Sequence, residues 1–87
     1  MMPQLPQWSH WTRQGTFRIQ AKIVVGPTPL FVLSFRDRDG VDQELASFLH
    51  PNTAAESISQ GEHDAKLGFK ASELNVPADH KDWNGLR

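Results

Sequence analysis

The residues best suited to acid–base or metal chemistry are four histidines and ten carboxylates, and their spacing points to no recognised site. His10, His50, His63 and His80 include no pair at the four-residue helical spacing that presents two imidazoles to one metal. His63-Asp64 and Asp79-His80 set imidazole beside carboxylate, but chain neighbours on a helix do not share a face. Asp37, Asp39, Asp42 and Glu44 resemble a calcium loop only in outline. With Gly40 as the turn glycine, Phe35 and Ala46 stand where a carboxylate is required. No glycines flank Ser34, Ser47, Ser57, Ser59 or Ser72 as a nucleophile elbow needs, and no glycine run precedes a helix to cradle phosphate. The chain has no cysteine, which excludes disulfides, thiolate metal sites and cysteine nucleophiles. These residues predict a non-enzyme with no cofactor and no metal. A small hydrolase or metal protein whose site assembles only across the fold is the lower alternative.

Binding is the chemistry left, and charge is its first clue. The net charge of −1 argues against a general nucleic-acid binder. The distribution is uneven: residues 1–40 carry five basic and two acidic side chains, whereas residues 41–87 carry four basic and eight acidic ones. Such asymmetry marks either a partner-facing surface or two halves that pair with each other.

The elements that must position these charges follow from periodicity. Phe17, Ile19, Ala21, Ile23 and Val25 alternate with Arg18, Gln20 and Lys22, which predicts a half-buried strand over 16–25. Gly26 to Pro29 read as a loop, and Leu30 to Arg36 as a second strand with Phe31, Leu33 and Phe35 on one face. The two make a hairpin whose paired numbers sum to an even value, because an odd sum would set Arg36 opposite an inward Ile19 or Phe17. A sum of 56 gives a five-residue loop, and 54 keeps the same faces.

Val41, Leu45, Phe48 and Leu49 have helical spacing, with Asp39 as the expected cap and His50-Pro51 as the stop. Thr53 and Glu56 match a capping box that opens a second helix through Ala54, Ile58, Gly61 and Ala65. Gly61 either lies within that helix or ends it early, and Gly68 stops it. Phe69, Ala71 and Leu74 suggest a short third strand. The expected fold is therefore α+β: a small antiparallel sheet of two or three strands packed on two helices, in the order β-β-α-α-β. Residues 1–14 form an N-terminal arm, 15–76 the single domain, and 77–87 a polar tail anchored by Trp83.

The longest apolar stretch is too short to span a bilayer, and the opening residues lack the basic and apolar segments of a signal peptide. No membrane role and a cytoplasmic location are expected. The partner-binding residues expected are Arg18, Lys22, Arg36 and Arg38 on or beside the hairpin face, with Trp8 and Trp11 from the arm. A tryptophan of that arm is expected to plug the core; an exposed aromatic anchor is the alternative. The partner is an acidic protein surface or a second copy of this chain. A nucleic acid is the runner-up, weakened because Phe17, Phe31 and Phe35 point away from the basic face unless an arm tryptophan reaches over it.

Overall fold

The computed structural model describes residues 5–22, 26 and 28–86. Among these residues, five antiparallel strands form one sheet in the order β4-β3-β2-β1-β5: β1 is Gln7–Thr12, β2 Gly15–Lys22, β3 Leu30–Asp37, β4 Asp42–Phe48 and β5 Asn84–Leu86. Between β4 and β5 the chain forms helix α1 (Pro51–Ser59), helix α2 (Asp64–Leu67) and two 3₁₀ turns, Ala71–Leu74 and His80–Asp82. The expected β-β-α-α-β order is overturned, because three segments read as arm, helix and tail are strands.

The hairpin of β2 and β3 has the expected faces but not the expected register. Phe17 opposes Phe35, Ile19 opposes Leu33 and Ala21 opposes Phe31, an even sum of 52. The shorter-loop sums were wrong because eight paired residues and a Phe17–Phe35 ring contact at 4.8 Å outweigh a tighter connection. Ile23 and Val25, also expected on the inner face, lie outside the described residues.

The arm becomes β1 because Arg13 and Gln14 close a two-residue turn onto β2. Thr12 Oγ1 accepts from the Gln14 and Gly15 N–H groups at 3.2 Å and donates to the Gly15 carbonyl at 2.8 Å. Gly15 sits at φ +150°, and a Cβ there would collide with the Arg36 carbonyl oxygen and the Phe35 ring.

The expected first helix is β4. Asp37, not Asp39, organises the turn before it, accepting from the Asp39 and Val41 N–H groups at 2.9 Å. A β-bulge then sets Ser34 opposite Glu44 but Leu33 opposite Ala46. The extra residue lets Leu45 and Phe48, three apart, both reach the core, which imitates helical spacing in the sequence. Val41 and Leu49, the other two members of that pattern, are exposed at 60% and 62%.

His50 is extended, as a residue before proline should be, but Pro51 opens α1 rather than closing a helix. Thr53 therefore lies inside the first turn, and the cap residue His50 makes no side-chain cap hydrogen bond. Gly61, at φ +74°, breaks the long helix into α1 and α2, and Gly68 ends α2 in a left-handed conformation. The expected third strand is the 3₁₀ turn Ala71–Leu74, whose Ala71 N–H is held by Asp64 Oδ1 at 3.0 Å.

The core lies between the inner sheet face and the helical layer. Phe17, Ile19 and Leu33 from the sheet meet Ala54, Ala55 and Ile58 from α1, all fully buried. Burying each of the larger side chains is worth about 1.5–3 kcal/mol. Trp83 is buried as well, its indole N–H donating to the Pro77 carbonyl at 2.9 Å, and this anchor lays β5 along β1. Among the described residues, no helix is long and apolar enough to cross a membrane.

Candidate functional site

The outer face of the sheet carries most of the charged residues singled out above. Cross-strand pairing sorts it into rows. Trp11, Thr16, Arg36 and Asp42 form one row; Ser9, Arg18, Ser34 and Glu44 form the next; Gln7, Gln20, Val32 and Ser47 form a third. Lys22 stands at the far end of β2, opposite Leu30. No helix of the described residues packs on this side, since α1 takes the inner face. Arg18, Lys22, Asp42 and Glu44 surround a shallow hollow of about 280 Å³ floored by Val32 and Ser34.

The expected basic face is thus a mixed one. Arg36 grips Asp42 through two hydrogen bonds of 3.0 Å, which raises the guanidinium's pKa and lowers the carboxyl's. Arg18 reaches the Gln7 side chain at 3.5 Å, and Gln20 reaches the same oxygen at 3.1 Å. Asp42 and Glu44 were missed as face residues because the segment from Val41 to Leu49 was read as a helix. Their spacing of two, acid on acid, is the signal of a shared strand face.

The tryptophans separate. Three residues apart along a strand means opposite faces, whereas along a helix it would mean one. Trp8 turns inward and packs against Phe31 and His80, with ring centroids 6.2 and 4.8 Å apart. Trp11 turns outward and is 74% exposed. It lines a second hollow of about 290 Å³ at the end of the sheet, shared with Arg13, Arg36, Asp37 and Arg38. Arg38 is therefore beside Trp11 and Arg36, while Trp8 is not part of the site.

One serine–histidine contact escaped sequence reading. Ser57 Oγ lies 2.7 Å from His63 Nε2, brought together across the Gly61 break. Ser57 also donates to the Ala54 carbonyl at 2.7 Å and is 1% exposed. A hydroxyl sealed this way reaches no substrate, so the pair fastens α1 to the turn after it. Burial, the largest influence, pushes the His63 pKa below its ordinary value. Among the described residues, no three His, Asp or Glu side chains converge as a metal site would need.

No protein-family model matches this chain, and neither a curated protein nor a solved structure matches it significantly.

Proposed function

We propose that this protein is a non-enzymatic interaction module that binds another protein through the open face of its sheet. The observation that carries the reading is a face left uncovered by the helical layer, with Trp11 exposed at its margin. Indole anchors of this kind dominate protein interfaces, because they bury a large area at small entropic cost. Arg18 and Lys22 beside Asp42 and Glu44 favour a partner bearing both signs of charge over a uniformly acidic one.

The absence of cysteine makes a clean test available. A photo-crosslinker on Ser34→Cys should capture a protein, and the capture should fall when Arg18→Glu and Lys22→Glu are added. A label on Gln60→Cys, beyond the end of α1, should not capture it. Equal capture from both positions would overturn the reading.

Nucleic acid is the second reading, supported by Trp11 between Arg13 and Arg38, where a base could stack and a phosphate pair. Asp42 and Glu44 weigh against it by lowering the positive potential of the same face. Salt-sensitive retention of single-stranded RNA, lost on Trp11→Ala, would favour it over the protein reading.

A further inference from the structure

We propose that the outer face pairs with the same face of a second copy of this chain, about a two-fold axis running along β3. This deepens the protein-binding reading and rests on it. The charges are segregated by strand: Arg18 and Lys22 stand on β2, Asp42 and Glu44 on β4, and β3 between them offers Val32 and Ser34. A half-turn about an axis parallel to β3 and just above it turns the sheet over and exchanges β2 with β4. It leaves every residue at the same height along the strands. Arg18, Ser34 and Glu44 share one row, so Arg18 of one copy faces Glu44 of the other, twice by symmetry, while Ser34 faces Ser34.

Facing sheets lie about 10 Å apart, and the twist of each sheet carries the strand ends out of line, so a row near the middle of the strands is displaced least. Arg36 meets its own symmetry mate near the axis, but each guanidinium is already held by Asp42 through two hydrogen bonds. Ion pairs, not bare cations, come together there. β1 overhangs the second copy's β4, which brings the exposed Trp11 to the rim of the contact.

The area sets the strength. Three facing strands spaced about 4.8 Å apart and eight residues long at about 3.3 Å each present roughly 350–400 Å² per copy. With Trp11 added twice, the total approaches about 1,000 Å², the lower limit for a specific association. The dimer is therefore weak and sensitive to salt.

Sedimentation equilibrium on the full chain tests this, over a dilution series from millimolar to low micromolar protein. The expected result is a reversible dimer, weakened when salt rises from about 0.1 M to about 1 M and the screening length falls from about 10 Å to about 3 Å. Arg18→Glu alone and Glu44→Arg alone should each weaken the dimer roughly tenfold or more by facing like charges. The double variant Arg18→Glu/Glu44→Arg should restore it, and melting curves should show all three folded. A wild type that stays monomeric at low salt overturns the proposal, as does a dimer indifferent to both single changes. If the monomer's Ser34→Cys label still captures a different protein, the broader reading survives and only the self-pairing fails.

Discussion

The two faces of the sheet are built from the same strands and differ in almost everything else. On the inner face Phe17, Ile19, Leu33 and Phe35 share one core with α1 and are removed from water. On the outer face Thr16, Arg18, Ser34 and Arg36, each one residue along the chain from those, remain in contact with solvent. Val32 is buried there without a covering layer, shielded by its longer neighbours. The difference teaches that an antiparallel sheet needs only one packed face to fold, which frees the other for recognition.

Leu33→Asp should give the largest effect that can break this contrast. An unpaired carboxylate at a fully buried position costs several kcal/mol, against a total stability of roughly 4–13 kcal/mol for a chain of this length, so the domain should unfold by circular dichroism. Lys22→Glu, on the outer face, should leave the melting temperature nearly unchanged. Equal damage from both would mean the faces are wrongly assigned.

Gly15→Ala comes next. Its Cβ has no room against the Arg36 carbonyl and Phe35, and the backbone conformation is one that side chains resist, so a loss of about 1–3 kcal/mol is expected in urea melts. The loss should exceed that for Gly40→Ala, whose φ of +85° also resists a side chain but where a Cβ meets open space.

The Ser57–His63 contact predicts a pH dependence confined to the inner layer. Because burial lowers the folded pKa of His63 below its ordinary 6.5, the unfolded chain binds protons more readily. Stability from this group is complete above that ordinary value and is lost as pH falls through the window down to the folded pKa. His10, also lowered by burial, adds in the same direction. Urea midpoints measured from pH 7.5 to pH 5 should fall, and His63→Gln should flatten the curve in part. An unchanged slope would show that His63 is not held neutral by its surroundings.

The smallest expected effect is that of Thr53→Ala. A capping threonine would lose about 0.5–2 kcal/mol on this change, whereas Thr53 in the first turn behind Pro51 should lose little of that. A midpoint shift in the capping range would place the start of α1 three residues later than the structure has it.

Legibility in the sequence varied with how local the signal was. The period of two from Phe17 to Phe35 identified β2, β3 and both of their faces, because each residue's side depends only on its parity. The same logic failed for β4, where one bulge shifted the parity and made Leu45 and Phe48 look helical. It failed for β1 and β5, which are short and stand at or near the sheet edge, where polar residues interrupt the alternation. Of the site residues, Arg18, Lys22 and Arg36 were visible from their strand, and Trp11 emerged as outward only once β1 was a strand. Asp42 and Glu44 were read in the sequence and placed on the wrong kind of element.

By itself the sequence determined a cysteine-free chain of nearly balanced charge, a β2–β3 hairpin with one apolar face, and a helix stop at Gly68. These follow from composition, parity and backbone sterics, which act within a few residues. Tertiary structure alone decided the register of that hairpin, the five-strand order, the inward turn of Trp8 and exposure of Trp11, and the meeting of Arg36 with Asp42. Each of those depends on which distant segment lies alongside, a choice made by the summed packing of the whole sheet against α1 and Trp83 rather than by any local preference.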